Sequence, residues 1–174
     1  MRIILRLHRI SFPLMLLFSI LIFNNVNAQA NLLCKINGNN FVGKIESAVL
    51  IHLGNENFIQ IKAVDDNKIM YMYLKTAKLK SAMPITLDYK DRDSANTQSP
   101  DAEIVWAPEG PDRPQWNSVD GKVVITEYNP EGKTISGAFD FVVEKFSYSS
   151  RANASRPNAE IKDGKFSSIK YKVE

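Results

Sequence analysis

The least ordinary stretch of the sequence is a proline-rich segment between two tryptophans, "VWAPEGPDRPQW" at residues 105–116. Trp106 and Trp116 bracket the segment, and Arg113 lies inside it. A tryptophan beside polar groups stacks well on a sugar ring or on the apolar surface of a partner. Prolines stiffen a loop and reduce the entropy that it loses on binding. Two interpretations follow: the segment forms a binding site, or its tryptophans close the end of a β-structure as core residues.

Side chains that carry out catalysis or hold metals are scarce. Cys34 is the only cysteine, and His52 is the only histidine beyond residue 30. Zinc needs three or four ligands at short spacings, and no such cluster is present in the sequence. A G-x-S-x-G nucleophile motif and a glycine-rich phosphate loop are missing as well. We therefore predict no metal site, no cofactor and no enzymatic activity, although a hydrolase with two facing carboxylates stays open because their separation is a three-dimensional property.

The first thirty residues have the three parts of a secretory signal peptide. Three arginines lie within the first nine residues, an uncharged apolar run follows at 10–23, and Ala28 and Ala30 offer small-residue cleavage sites. The run is shorter than the ~20 residues that span a bilayer as a helix, which favours a cleaved leader over a permanent anchor. We expect a periplasmic, secreted or surface protein without a stable membrane anchor.

The charge balance argues against nucleic acid as a partner. The chain has 22 lysines and arginines against 19 acidic residues, but three of the arginines belong to the predicted leader. Basic and acidic residues are equal in number in the remainder, which gives no electrostatic basis for binding nucleic acid. One cysteine cannot form an internal disulfide, so residues 31–174 are expected to fold as one domain held by packing.

Apolar residues alternate with polar ones through most of this domain, which is typical of strands with one buried face. The longest stripe runs through Ile135, Gly137, Phe139, Phe141 and Val143. Shorter stripes are Val49, Ile51 and Leu53; Ile59, Ile61 and Ala63; Ile85, Leu87 and Tyr89; and Ile169, Tyr171 and Val173. Only residues 73–82 suggest a helix, of a turn or two. We predict an all-β fold of eight to ten mostly antiparallel strands, closed as a barrel or stacked as a sandwich.

Turn residues separate these stripes. Asn37-Gly38 and Asp163-Gly164 are strong signals for two-residue hairpin turns. The segment "NPEG", residues 129–132, predicts a type I turn followed by a left-handed Gly132. Polar breaks within 52–58 and 63–69 predict two further turns.

One predicted strand, "KIMYMYLK" at residues 68–75, is apolar on both faces. Tyr71 and Tyr73 point one way, and Met70 and Met72 point the other way. Three interpretations are open: a central strand covered on both sides, a barrel strand that faces a ligand cavity, or an exposed aromatic face that docks a partner.

The segments "CKINGNNFVG" (34–43), "GKVVITEYNPEGKTISGAFDF" (121–141) and "IKDGKFSSIKY" (161–171) resemble a family of small exported β-rich proteins. These proteins are common in Bacteroidota, are often lipoproteins and have no characterised function. The resemblance implies a β-rich fold and export, but it carries no catalytic signature. Leu33 departs from the small residue that lipoproteins place before the lipidated cysteine, so we expect Cys34 to be a buried or half-buried thiol in the first strand.

Asp93-Ser94-Ala95 is similar to the O-glycosylation site of exported proteins from such bacteria, and an ordinary solvated loop is the alternative interpretation. The leading functional hypothesis is a binding or interaction module of the cell envelope, with an envelope protein or a glycan as partner. Its candidate binding residues are Trp106, Arg113, Trp116, Tyr71 and Tyr73. The alternative is a structural envelope component without a small ligand.

Overall fold

The computed structural model describes residues 31–89, 99–146 and 157–173, which form an antiparallel β-barrel. The predicted leader and Asp93-Ser94-Ala95 lie outside these described residues. Ten strands and one short 3-10 helix follow one another along the chain. They are β1 (Asn31–Ile36), β2 (Asn39–Leu53), β3 (Glu56–Asp65), β4 (Lys68–Lys75), the 3-10 helix (Thr76–Lys80), β5 (Ile85–Asp88), β6 (Ala102–Ala107), β7 (Trp116–Asn129), β8 (Thr134–Lys145), β9 (Asn158–Lys170) and β10 (Lys172–Val173).

Eight of the strands close into a ring. The order around the ring is β1-β2-β3-β4-β6-β7-β8-β9, and β9 pairs with β1 to complete it. Two short strands are added: β5 pairs with residues 122–125 in the middle of β7, and β10 runs parallel to β2. Closure pairs the strand edges that an open sheet would leave exposed. The predicted all-β class is confirmed, and of the two predicted architectures the protein adopts the barrel.

The inside of the barrel is a packed core. All five residues of the long stripe on β8 are buried, and so are Ile59, Ile61 and Ala63 on β3. On β4 the side chains of Met70 and Met72 lie in this core, while Tyr71 and Tyr73 are on the outer face and half-buried. The interior is therefore filled with side chains, as in small barrels in general.

The second half of β2 faces the opposite way from the prediction. Ala48 and Leu50 contact the core, whereas Ile51 and Leu53 are on the outer face, where Leu53 is 52% exposed. The cause is a register shift against β3 between Ile45 and Ser47. Such a bulge adds a residue to one strand and reverses the in–out alternation beyond it.

The predicted hairpin turn at Asp163-Gly164 is also wrong, because these residues lie inside β9. A register shift against β8 occurs there, and Asp163 adopts a left-handed backbone with φ of 55°. Gly164 lets the bulge approach β8 closely, since a Cβ at this position would be 2.5 Å from the Phe139 carbonyl oxygen. The Asn37-Gly38 turn is confirmed, with φ of 48° and 81°.

In the turn between β7 and β8 the left-handed residue is Lys133, with φ of 53°, and not Gly132. The Gly132 N–H donates to Asn129 Oδ1 at 2.7 Å, so the asparagine side chain closes the turn. This local hydrogen bond satisfies the turn without a left-handed glycine. The predicted turns within 52–58 and 63–69 are confirmed at Gly54-Asn55 and Asp66-Asn67.

The two ends of the barrel are built differently. The upper end holds the β1–β2 turn, the β3–β4 turn and the long β6–β7 loop. The lower end holds the 3-10 helix, which confirms the predicted short helix in 73–82 and buries Leu79 in the core. No helix in the described ranges has the length and apolar character needed to cross a membrane.

Candidate binding site at the upper end of the barrel

Trp106 and Trp116 meet at the upper end, where they are direct cross-strand partners on β6 and β7. Trp106 continues the inward stripe of Ala102 and Ile104, so its ring enters the core, and the residue is only 5% exposed. Its ring lies edge-on to that of Phe41, with centroids 5.2 Å apart and an interplanar angle of 87°. Trp116 is half-buried and packs against the same core. Trp106 is thus the closing core residue of the barrel, while Trp116 retains an accessible surface.

A serine side chain holds the two tryptophan strands together. Only Val105 and Trp106 of β6 have register partners on β7. Below them, the Ile104 N–H donates to Ser118 Oγ at 2.8 Å, and the Ser118 hydroxyl donates back to the Ile104 carbonyl at 2.9 Å. The hydroxyl takes the place of a backbone partner where β7 bulges between Ser118 and Asp120. This link fixes the strand junction that carries both indole rings.

The loop between the tryptophans turns away from them and carries Arg113 with it. Two weak backbone bonds of 3.4 Å, from Gly110 N to the Ala107 carbonyl and from Arg113 N to the Gly110 carbonyl, define two successive turns. Arg113 lines a separate surface cavity of about 560 Å³ with Gln115 and Phe146. Among the predicted binding residues, the structure therefore brings together the tryptophans but not Arg113.

A cavity of about 280 Å³ opens at the upper end, beside the tryptophans. Its floor is apolar and aromatic, and its rim carries carboxamides and one amino group. The lining residues are Ile36, Asn37, Asn39, Asn40, Phe41, Lys68, Trp106, Pro108, Trp116 and Ala159. An apolar floor with a few polar groups around it is the usual composition of a small-ligand site, and this volume is just below the usual range of about 300–1,000 Å³. We call this cavity the upper mouth.

Two rim residues, Asn39 and Lys68, were not predicted from the sequence. Asn39 pairs with Ile36 and stands two positions before Phe41, so it is on the inward side of β2. Lys68 stands two positions before the inward Met70 in the same way. A polar residue at the head of an inward stripe is the signal that could have revealed both, because alternation places it on the core side of its strand at the barrel end.

Several polar groups of the upper mouth are not used by the fold. Asn37 has a structural role, since its Oδ1 accepts the Glu160 N–H at 2.9 Å. In contrast, the side chains of Asn39, Asn40 and Lys68 have no hydrogen bond or ion pair with any residue that the structure describes. Unpaired carboxamides next to an aromatic surface can exchange bound water for the hydroxyl groups of a ligand.

The tyrosines of β4 form a different surface on the outside of the barrel. Lys62 Nζ lies 5.9 Å from the centroid of the Tyr71 ring, and Gln60 Nε2 donates to the Tyr73 hydroxyl at 3.1 Å. Burial is the main cause that raises the pKa of Tyr73. Tyr73 also lines an outer cavity of about 280 Å³ with Ile51. Because they are on the opposite face of the sheet, the tyrosines cannot line the upper mouth.

Cys34 and His52 are far apart and do not form a catalytic pair. Cys34 faces the core opposite Phe41, and burial raises the pKa of its thiol to about 12. His52 is exposed near the other end of β2, where its Nδ1 is hydrogen-bonded to Asn57 Oδ1. The predictions of a buried thiol and of an exposed or hydrogen-bonded strand histidine are confirmed. Within the described ranges, no group of three histidine, cysteine or acidic residues is arranged to hold a metal ion.

Three carboxylates share one surface cavity on the side of the barrel. Asp88, Asp120 and Asp140 line this cavity of about 490 Å³ together with Lys122 and Lys162. Asp120 and Asp140 each accept a backbone N–H, at 2.8 and 3.0 Å, where β7 and β9 depart from regular pairing. These hydrogen bonds account for two of the three acids as structural acceptors, and they provide no evidence for a hydrolytic pair.

Comparisons of the chain with protein-family models, with curated proteins and with solved structures gave no match. The choice of the upper mouth as the candidate site therefore depends on its geometry and on the residue types that line it.

Proposed function

We propose that the protein is an exported binding module that captures a ring-shaped, hydroxyl-bearing ligand at the upper mouth. A single sugar residue of a glycan has this chemistry. The apolar face of a sugar ring packs on an aromatic side chain, and its hydroxyl groups exchange hydrogen bonds with carboxamides. The proposal includes the export that the N-terminal sequence predicts.

The observation that carries the proposal is the combination of half-buried Trp116 with the unpaired side chains of Asn39 and Asn40 around one cavity. Asn37 is used by the fold, since it accepts the Glu160 N–H, whereas the exposed carboxamides of Asn39 and Asn40 are available to exchange water for a ligand. The volume of about 280 Å³ is enough for one ring.

Intrinsic fluorescence provides a direct test, because the chain has two tryptophans and both line the upper mouth. The processed protein is titrated with a panel of neutral and acidic mono- and disaccharides, and the emission maximum and intensity are followed. Saturable binding by members of the panel is the expected result. Trp116→Ala should abolish the response. Because Trp116 also packs against the core, some loss of melting temperature is expected, and circular dichroism should show that the variant still folds as a β-barrel.

Tyr71→Ala is the matched control, since it removes a half-buried aromatic ring from the outer face of the same barrel. This variant should bind the panel like the wild type. If no saccharide changes the emission, or if Trp116→Ala binds as well as the wild type, the proposal is wrong. A structural envelope component would instead yield a stoichiometric protein partner in pull-downs from envelope extract and no fluorescence response.

A further inference from the structure

The upper mouth has an uncompensated positive charge. Among its ten lining residues, Lys68 is the only one with an ionisable side chain. No described carboxylate lies within ion-pair distance of its amino group. Asp65, its cross-strand partner on β3, does not line the cavity. By contrast, Lys35 and Lys62 form ion pairs with Asp163 and Glu46.

The pairing of the strands places this charge next to the aromatic floor. Met70 is the cross-strand partner of Trp106, and Ile69 is the partner of Ala107. The ladder ends at this pair, and the next residue along each strand, Lys68 and Pro108, lines the cavity. Lys68 and Trp116 therefore line the same cavity, and one ring bound there can contact both side chains.

We infer that the ligand of the upper mouth is an acidic sugar whose single carboxylate pairs with Lys68, that is, a uronic acid residue. This inference rests on the proposed function. One lysine supplies one positive charge, which a carboxylate balances, whereas a phosphate monoester carries about −1.5 to −2 at neutral pH. Trp116 and the carboxamides would recognise the ring and its hydroxyl groups. Lys68, as a point charge beside them, would add selectivity for a negatively charged ligand.

The inference is tested with three soluble probes: D-glucuronate, its methyl ester and glucose 6-phosphate. The ester keeps the ring and the hydroxyl groups but removes the charge. We expect glucuronate to bind about fivefold more tightly than the ester, which is the size of an ion pair at a partly exposed site. Binding of glucuronate should weaken as ionic strength rises, because exposed charges are screened, while binding of the ester should not change.

Variants of one residue separate the charge from the rest of the site. Lys68→Gln should lower the affinity for glucuronate about fivefold and leave that for the ester unchanged. Lys68→Arg, which keeps the charge, should retain most of the preference for glucuronate. Lys44→Gln removes an exposed lysine from the outer face of β2 and is the control that should behave like the wild type.

The possible outcomes distinguish the two proposals. Equal affinity for glucuronate and its ester, or tighter binding of glucose 6-phosphate, would overturn the acidic-sugar inference and leave a neutral or phosphorylated sugar site in place. If none of the probes and no member of the saccharide panel changes the tryptophan emission, both proposals fail. A preference for glucuronate that survives Lys68→Gln would also contradict the inference, since the charge would then be read by another group.

Discussion

Removing the Ser118 hydroxyl should destabilise the barrel at the junction that carries the tryptophans. The residue is 2% exposed, and its Oγ accepts from the Ile104 N–H and donates to the Ile104 carbonyl. The N–H and C=O of one strand residue point to the same side, so Ser118 is the partner of both groups on the β7 side. Ser118→Ala leaves a buried N–H and a buried C=O without these bonds.

The expected magnitude follows from the cost of an unsatisfied buried donor, which is about 1–3 kcal/mol. We take about 2 kcal/mol as the expected loss in the free energy of unfolding, because the carbonyl has a second lone pair and tolerates the loss better than the N–H does. With an m-value of about 2 kcal/mol/M in urea, the unfolding midpoint should fall by about 1 M at an unchanged m-value.

Urea denaturation followed by far-ultraviolet circular dichroism measures this shift. Ser167→Ala is the matched control, since Ser167 is an exposed serine on β9 and should change stability by less than about 0.5 kcal/mol. Amide hydrogen exchange adds a local measurement, in which the Ile104 N–H should exchange faster in Ser118→Ala. If Ser118→Ala is as stable as Ser167→Ala and Ile104 stays protected, the hydroxyl does not hold β6 to β7.

Three further predictions concern the bulge, the core thiol and a surface ion pair. Gly164→Ala should lower the free energy of unfolding by about 2–3 kcal/mol, because its Cβ would lie 2.5 Å from a facing β8 carbonyl oxygen. Gly38→Ala has open space around it and should cost only about 1 kcal/mol of backbone strain. Thermal unfolding of both variants tests the difference. Cys34 should resist an aromatic disulfide reagent at pH 8 in the folded protein, because its thiol is buried and burial raises its pKa to about 12. The same thiol should react fully in guanidinium chloride. Rapid reaction of the folded protein would contradict this prediction. Lys35 lowers the pKa of Asp163 through a hydrogen bond and its charge, so Lys35→Met should raise that pKa in a carboxyl NMR titration. The stabilisation from this pair is present above the ordinary carboxyl pKa and is lost as pH falls through the lowered one, so wild type and Lys35→Met should converge in stability in acid.

Local alternation was enough to predict the fold class and most inward faces. The stripe from Ile135 to Val143 and the stripe from Ile59 to Ala63 are buried as predicted, because the bulges beside them add the extra residue to the neighbouring strands β2, β7 and β9 and leave the alternation of β3 and β8 intact. The failures at Val49–Leu53 and at Asp163-Gly164 share one cause, a change of register against a neighbouring strand. Register is decided by the partner strand and by the packing behind it, and a single strand does not reveal it.

The choice between barrel and sandwich depends on a pairing between strands that are far apart in the sequence, β1 and β9. β1 must pair with both β2 and β9, and its partners Gly43 and Phe166 are more than a hundred residues apart along the chain. The hairpin signal at Asn37-Gly38 predicts the first pairing, but no local pattern predicts the second. Strong alternation therefore indicates that a sheet must be covered, and only the distant pairing determines how.

The candidate site shows why an unusual loop is an incomplete indicator of function in a barrel. The loop sequence predicts Trp106, Arg113 and Trp116 as binding residues, but in the barrel the two tryptophans line one cavity and Arg113 lines another. Residues from β2 and β4, which the loop sequence does not contain, supply the rim instead. Asn39 and Lys68 each precede a buried stripe by two positions, but both are exposed, so their polar groups stay hydrated at the end of the barrel and contribute nothing to the core. Because exposed polar residues at a barrel end stay hydrated without a ligand, their position around the accessible surface of Trp116, and not their polarity alone, is the physical reason to look for a ligand at this end of the barrel.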